Sequence, residues 1–176
     1  MALKPTIYKF NVSLSDLNRD YYETLNLTLA QHPSETIERM MVRLLAYCVN
    51  ASERLEFTKG VSAVDEPDIW LHTLDGQLST WIDVGEPAVD RIKKATRLTD
   101  NVKVYSFNSK SPVWWEQSKN QFNQLKVSVY QLQWESIQIL ASLVQRTMTF
   151  SVTITDNSAY VATELGECEV TWIPLQ

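Results

Sequence analysis

Residues 66–85 read EPDIWLHTLDGQLSTWIDVG, two short apolar runs separated by a turn at Asp75-Gly76. Short β-prone runs on either side of an aspartate–glycine pair are typical of a β-hairpin. Asp68 begins the first run and Asp83 lies inside the second, so the two strands can present both carboxylates to one divalent cation. Mg²⁺ takes hard oxygen ligands and usually accepts one or two protein carboxylates together with water and phosphate oxygens. The pairing therefore suggests phosphodiester chemistry.

The length and composition of the chain are those of one globular domain. Its 176 residues, of which 44% are hydrophobic and 21% charged, are enough to bury about two thirds of the surface exposed by the unfolded chain. No internal repeat or linker divides the sequence, so we predict a single domain over residues 1–176. Cys48 and Cys168 suggest neither a disulfide framework nor a zinc site and are expected to be small core residues.

The apolar runs and the net charge limit the location and the partners. No apolar run approaches the length of about twenty residues that spans a bilayer, and residues 1–5 begin neither a signal nor a transit peptide. We therefore expect a cytoplasmic protein without a membrane partner. The net charge of −5 argues against broad, sequence-independent adhesion to nucleic acid, which depends on clustered Lys and Arg. Any contact with DNA or RNA is expected to be local.

On the N-terminal side of residues 66–85, the apolar pattern predicts a hairpin followed by a helix. Residues 6–14 and 21–30 alternate with period two around a polar turn, as the two strands of an antiparallel hairpin do. Ser34 is a plausible N-cap for a helix that runs to about Asn50. The apolar residues of this helix recur at steps of three and four, which indicates a helix packed on a sheet.

On the C-terminal side, the sequence predicts a βαβ crossover. The strand at residues 78–84 is followed by a helix from Pro87 to about Leu98 and by a strand at residues 102–107, an arrangement that favours parallel neighbours. The other expected strands are residues 54–59, 68–73, 126–132, 148–155 and 159–172, the last broken by a turn at Gly166, and the other expected helices are residues 113–122 and 134–145. The chain is therefore expected to be α+β, with an α/β middle.

This element order, with one acid at each of two adjacent strands, resembles the PD-(D/E)xK nuclease-like fold. Four runs are more specific, HPSETIERMM (32–41), LEFTKG (55–60), DEPDIW (65–70) and WIDVG (81–85), and they look like the bacterial YaeQ family over essentially the whole chain. The resemblance implies a restriction-endonuclease-like mixed sheet flanked by helices, with an added N-terminal β-hairpin and additional C-terminal strands. A fold alone does not supply an activity.

The resemblance also implies a site. Asp68 and Asp83 match the two acids of the superfamily pattern as ligands of Mg²⁺ or Mn²⁺, and a glutamate on the first helix, Glu35 or Glu38, sometimes completes the set. We favour Glu38, because it lies at the edge of the buried stripe, whereas Glu35 has an alternative role at the positive end of the helix. Glu86 is a further candidate ligand, although its place before a proline also suits a solvated loop.

One position departs from the superfamily pattern. The lysine expected two residues after the second acid falls at Gly85, which removes the cation that orients the attacking water and offsets charge at the phosphate. A cation from elsewhere would have to reach the same point in space. The candidates are Lys59 on the adjacent strand, which we include in the predicted catalytic set, and Arg91 or Lys94 on the following helix.

Two functions follow as expectations. The first is a Mg²⁺- or Mn²⁺-dependent phosphodiesterase or nuclease. The second is a catalytically inactive nuclease-fold module that binds a nucleic acid or protein partner, in transcription or nucleic-acid maintenance. Arg91, Lys93, Lys94 and Arg97 form a basic helix face that suits either phosphate binding or simple solvation. The adjacent Trp114 and Trp115 are expected mainly to pack rather than to stack on bases.

Overall fold

Ten strands form one continuous sheet in the computed structural model, which describes residues 4–59 and 65–176. Residues 1–3 and 60–64, including Gly60 of one quoted run, lie outside the described residues. The strands are β1 (Thr6–Asp16), β2 (Tyr21–Gln31), β3 (Leu55–Phe57), β4 (Ile69–His72), β5 (Leu78–Val84), β6 (Val102–Ser106), β7 (Ser128–Leu132), β8 (Thr147–Thr155), β9 (Ser158–Thr163) and β10 (Gly166–Pro174). The helices are α1 (Ile37–Val49), α2 (Val89–Thr96), α3 (Ser111–Phe122) and α4 (Trp134–Ser142).

The sheet is mixed, with antiparallel pairings in the majority. Its spatial order is β2-β1-β8-β9-β10-β7-β6-β5-β4-β3. Parallel pairs occur at β1–β8, β5–β6 and β6–β7, so the predicted βαβ crossover from β5 through α2 to β6 is confirmed. The chain is thus an α+β protein with a large mixed sheet and flanking helices.

The predicted N-terminal hairpin is confirmed, and it belongs to the main sheet. Strands β1 and β2 pair in register from Thr6 opposite Gln31 to Asp16 opposite Tyr21. The inward residues of β1 are Tyr8, Phe10, Val12 and Leu14, all buried. Parallel pairing of β1 with β8 joins the hairpin to the C-terminal strands.

The two faces of the sheet carry separate apolar clusters. One cluster contains the buried stripe of α1 and, from β5, Ile82 and Val84. The other contains Trp81 of β5 with Ile92 and Ala95 of α2. Because successive strand residues point to opposite faces, α1 and α2 lie on opposite sides of the sheet. As predicted, Cys48 and Cys168 are buried free thiols, and burial raises the pKa of Cys48 to about 12.

Some predicted boundaries are wrong, and local contacts explain the main difference. The N-cap of α1 is Thr36, whose hydroxyl accepts a hydrogen bond from the backbone N–H of Arg39, and not Ser34. The Ser34 hydroxyl instead contacts the His32 ring at 2.7 Å. The strand expected at residues 54–59 is only three residues long, and the helices expected at 87–98 and 134–145 span Val89–Thr96 and Trp134–Ser142.

Two further expectations concern packing and the membrane. Trp114 and Trp115 are partly buried and pack against the same apolar cluster as α2, so the expectation that they mainly pack is confirmed. None of the helices within residues 4–59 and 65–176 is long and apolar enough to cross a membrane.

Candidate functional site

Asp68 lies at the start of β4, beside the C-terminal end of β5. Its backbone N–H donates to the carbonyl oxygen of Ile82 at 3.0 Å, which fixes it next to the strand that carries Asp83. Its buried carboxylate accepts hydrogen bonds from the backbone N–H of Val84 at 2.8 Å and from Arg39 Nη2, which reaches both oxygens at 2.8 and 2.9 Å. Asp68 is thus tied to β5 and to α1 at once.

Asp83, on β5, is held by an arginine from the other helix. Arg91 of α2 donates from Nε to Oδ2 at 2.9 Å and from Nη2 to Oδ1 at 3.1 Å. The indole N–H of Trp81 donates to Oδ2 at 3.1 Å. Burial raises the pKa of Asp83, and these hydrogen bonds act in the opposite direction without cancelling the rise. A buried carboxylate needs such partners, because an unpaired charge away from water is costly.

Glu35, just before α1, extends the arrangement to two arginines of that helix. Its buried carboxylate accepts from Arg43 Nε at 2.9 Å and Nη2 at 2.8 Å, and from Arg39 Nη1 at 2.6 Å. Arg39 therefore lies between Glu35 and Asp68. We call the whole set the acid–arginine cluster, and it consists of Glu35, Arg39, Arg43, Asp68, Asp83 and Arg91.

The two predicted acids lie at neighbouring places in the sheet, since the backbone of Asp68 pairs with that of Ile82, the residue before Asp83. Burial is the main cause of the raised pKa of Asp83, and the negative charge of Asp68 adds to it. Each nevertheless has its own arginine, from helices on opposite faces of the sheet. The acid–arginine cluster is therefore a set of paired charges around the end of β5.

The other two predicted site residues are more exposed than the acids of this cluster. Glu38 is partly exposed on α1, and Glu35 takes the central place between the arginines. Lys59 is exposed at the edge of the described residues. Neither placement tests a catalytic role, and Glu38 and Lys59 as members of the catalytic set stay predictions.

A cavity of about 370 Å³ opens beside Trp81 and Arg91, the two residues that hold Asp83. Its walls are Asp65, Trp81, Arg91, Lys94, Ala95 and Leu98. Two of the cations named as substitutes for the missing lysine, Arg91 and Lys94, therefore face one space. Arg91 also donates to the carbonyl oxygen of Glu66 at 2.6 Å, which anchors its guanidinium at the cavity wall.

Two glutamates near the acid–arginine cluster retain acceptor capacity. Glu66 Oε2 and Glu86 Oε2 are buried and accept no hydrogen bond within the described part of the chain. Burial raises the pKa of Glu86, although hydrogen bonds from Phe107 and Asn108 and the charge of Arg39 act against the rise. Glu86 is thus a partly buried carboxyl. The alternative drawn from its place before a proline, a solvated loop residue, is wrong.

The fit of a metal ion can be judged from the donors. Asp68 and Asp83 offer the hard oxygens that Mg²⁺ and Mn²⁺ prefer. Each of their carboxylate oxygens, however, already accepts at least one hydrogen bond from nitrogen. The guanidinium groups of Arg39 and Arg91 already balance the two carboxylates, and their positive charges repel a divalent cation beside them, so the residues as arranged do not fit one. Within residues 4–59 and 65–176, no three acidic, histidine or cysteine side chains are grouped as a metal site.

Sequence reasoning missed the arginines of α1. Glu35, Arg39 and Arg43 recur every four residues: Arg39 and Arg43 share one face of α1, and Glu35 lies just before the helix. That spacing was the available signal for an acid–arginine stripe. It does not reveal that Arg39 also meets Asp68, which lies 29 positions away.

Comparison with known proteins places the chain in a family. The family model described as YaeQ protein matches residues 1–172. The chain belongs to the YaeQ family. It is 41% identical over 172 residues to the YaeQ protein of Escherichia coli K12, covering 97% of this chain and 95% of the relative, and equally similar to that of Shigella flexneri.

Solved structures of YaeQ proteins share the whole architecture. The crystal structure from Xanthomonas axonopodis pv. citri is 36% identical and superposes with a TM-score of 0.94, covering 98% of both chains. That from Pseudomonas syringae is also 36% identical, with a TM-score of 0.93, covering 98% of this chain and 96% of the other. The ten-stranded sheet with its N-terminal hairpin is therefore the YaeQ fold, and the resemblance drawn from the four sequence runs is confirmed.

Proposed function

We propose that this YaeQ-family chain is a binding module on a PD-(D/E)xK-like scaffold that holds a nucleic-acid strand without cleaving it. The observation that carries the proposal is the cavity of about 370 Å³ in which Arg91, Lys94 and Trp81 share the lining. Two cations and an aromatic ring are the groups that bind the phosphates and bases of a single strand.

The outer surface of α2 supplies the electrostatic part of this interface. Lys93, Lys94 and Arg97 are exposed, and all lie within two turns of the helix. Because the chain as a whole carries a net charge of −5, a polyanion is attracted to this cluster and repelled by most of the remaining surface. The proposed contact is therefore local, as the net charge requires.

The cavity supplies a place for a nucleoside. Trp81 is held by its indole N–H on Asp83, and Arg91 lies over the Trp81 ring, 5.6 Å from its centroid. This pairing fixes both side chains before a ligand arrives, which reduces the ordering cost of binding. A phosphate at Lys94 then leaves the attached sugar or base beside Leu98, the most exposed apolar side chain of the lining, because Trp81 is buried and Arg91 lies over its ring.

Two features favour binding over catalysis. Arg39 and Arg91 neutralise the carboxylates that would otherwise hold a metal ion. Gly85 stands where the superfamily pattern has its lysine. The acid–arginine cluster then acts as a rigid frame that orients Arg91, and the strand stays intact.

Fluorescence anisotropy with labelled single- and double-stranded oligonucleotides tests the binding proposal. We expect Lys94→Glu to weaken binding by about tenfold and to reduce the slope of log K against log salt by about one. The matched control is Lys9→Glu, which makes the same charge change at an exposed position of β1. Equal losses in both variants would mean that only net charge matters, and unchanged binding in Lys94→Glu would refute the interface.

The placement of Asp68 next to the strand that carries Asp83 supports a second candidate, a Mg²⁺- or Mn²⁺-dependent phosphodiesterase. In this alternative both aspartates are metal ligands, Glu38 assists, and Lys59 takes the place of the missing lysine. Glu66 and Glu86, each with a buried oxygen that accepts no hydrogen bond in the described ranges, are additional oxygen donors nearby. This candidate requires Arg39 and Arg91 to leave the carboxylates.

A metal titration separates the two candidates. Mn²⁺ is added to the wild type and to Asp83→Asn, the thermal midpoint is followed, and both proteins are incubated with single- and double-stranded substrates. Metal-dependent stabilisation and strand cleavage in the wild type alone would establish the phosphodiesterase. Strand binding that neither depends on Mn²⁺ nor leads to cleavage is the result expected for the binding module.

A further inference from the structure

A second cavity, of about 260 Å³, lies on the α1 side of the sheet. Its polar lining consists of Arg19, Asn50, Ser52, Thr80, Asn101 and Lys103. Thr80 follows the same alternation along β5 as Ile82, so it faces α1, whereas Asp83 faces α2. This cavity is therefore separate from the one lined by Lys94.

Lys103 is the central cation of this cavity. Its side chain is partly buried, and its Nζ donates to Asn50 Oδ1 at 2.6 Å. Asn50 is itself fixed, because its Nδ2 donates to the Tyr105 hydroxyl and to the Ala46 carbonyl oxygen, both at 2.8 Å. The ammonium group is thus positioned by a neutral amide. No carboxylate within residues 4–59 and 65–176 forms an ion pair with it.

Arg19 adds a second positive charge to the same space. Its guanidinium lies at the C-terminal end of α1, where Nη1 donates to the Ala51 carbonyl oxygen at 2.8 Å and Nη2 to the Cys48 carbonyl oxygen at 3.4 Å. Its Nε pairs with Asp16 at 2.7 Å. Burial lowers the pKa of Lys103, and the charge of Arg19 lowers it further. Asp16 balances Arg19, so the positive charge of Lys103 is the one left without a counterion in this part of the described chain.

We propose that this cavity binds a small phosphate-bearing anion, with Lys103 as its principal ligand. The phosphate oxygens accept from the Lys103 ammonium group and from the Ser52 hydroxyl, and Arg19 adds long-range attraction. The rest of the lining includes Val49, Leu55 and Leu71, which form an apolar wall suited to a short carbon chain. Inorganic phosphate and a phosphate monoester share this chemistry.

Three electrostatic and steric features support the assignment. A partly desolvated ammonium beside another cation is unfavourable by itself, and an anion removes that cost. The fixed Asn50 amide holds the ammonium at the cavity without neutralising it. The volume exceeds that of a water molecule many times over, so a polyatomic anion can enter with part of its hydration.

Calorimetry and thermal unfolding with sodium phosphate and with glycerol phosphate test the proposal, at constant ionic strength set with chloride. We expect saturable binding to the wild type and about a tenfold loss of affinity in Lys103→Met. Lys9→Met removes the same charge at an exposed position of β1, outside both cavities, and is expected to bind phosphate as the wild type does.

A second variant keeps the test decisive if Lys103→Met unfolds. In the wild type Asn101 Nδ2 donates to the Thr80 hydroxyl at 2.9 Å. Asn101→Asp places a carboxylate at this position of the cavity lining, and we expect its negative charge to weaken phosphate binding. Tighter binding of the monoester identifies a phosphorylated small molecule, and tighter binding of the inorganic ion identifies phosphate. Equal stabilisation of every variant would show only the general exclusion of phosphate from protein surfaces and would overturn the proposal, as would the absence of saturable binding.

Discussion

Arg91 forms a bidentate ion pair with Asp83, with Nε 2.9 Å from Oδ2 and Nη2 3.1 Å from Oδ1. The two residues are eight positions apart, one on β5 and one on α2, so this contact joins the sheet to the helix that carries the basic face. The carboxylate is 3% exposed and the arginine side chain 31% exposed. The contact thus joins the cavity wall to β5, while the Arg91 side chain stays partly exposed.

The first prediction concerns the removal of Arg91. In Arg91→Ala the Asp83 carboxylate stays buried. Within residues 4–59 and 65–176, its remaining hydrogen-bond donor is the Trp81 indole. We expect a loss of about 2–4 kcal/mol in the free energy of unfolding, because breaking a buried ion pair leaves an uncompensated charge. Urea unfolding measured near neutral pH checks the value.

A double-mutant cycle provides the control for Arg91. Combining Arg91→Ala with Asp83→Asn removes the charge that the first change leaves unpaired, so the double variant should be more stable than Arg91→Ala alone. If the two losses simply add, Arg91 and Asp83 are energetically independent and the frame role assigned to this pair is wrong.

The second prediction separates Glu35, which lies just before α1, from Glu38, which lies in its first turn. Glu35→Ala removes the partner of Arg43, whose side chain is 3% exposed, and is expected to cost about 3–5 kcal/mol in unfolding free energy. Glu38→Ala changes a partly exposed residue and should cost less than about 1 kcal/mol. Chemical denaturation of both variants in one buffer gives the comparison, and similar losses would contradict the central position of Glu35.

The elements that were predictable from sequence are those with strong local patterns. The β5 strand was expected at residues 78–84 and spans Leu78–Val84, because apolar residues follow a clear glycine turn. The N-terminal hairpin was predictable for the same reason, since its two strands are adjacent in the chain. The short strand β3 was overestimated, because residues 54–59 carry β-prone side chains but only three of them pair with β4.

Long-range contacts were beyond sequence reasoning. Nothing local to β1 indicates that Lys9 pairs with Thr147 of β8, because such a pairing is decided by the packing of the whole sheet. The same limit applies to the site. The position of Asp68 beside one strand of the hairpin and of Asp83 on the other was predictable, whereas the pairing of each carboxylate with an arginine from a different helix depends on where α1 and α2 pack. That the two carboxylates share one ion stays a prediction.

The third prediction concerns the start of α1. Thr36→Ala removes the hydroxyl that accepts from the Arg39 backbone N–H at 3.1 Å, and loss of an N-cap typically costs about 1 kcal/mol. Ser34→Ala removes a surface contact with His32 and should cost less than about 0.5 kcal/mol. Thermal unfolding of the two variants ranks them, and a larger loss for Ser34→Ala would restore the cap expected from the sequence.

The fourth prediction concerns pH and Glu86. Burial raises the pKa of this carboxyl in the folded chain above its ordinary value of 4.5, so between the two values the folded state binds more protons than the unfolded state. The Glu86 contribution to stability is therefore favourable at low pH and is lost as pH rises through the folded pKa. Glu86→Gln cannot titrate, so the stability of the wild type relative to this variant should fall as pH rises from about 4 to about 7. Unfolding free energies measured across that range give the difference at each pH; a difference that stays constant would mean that Glu86 titrates alike in the folded and unfolded chain.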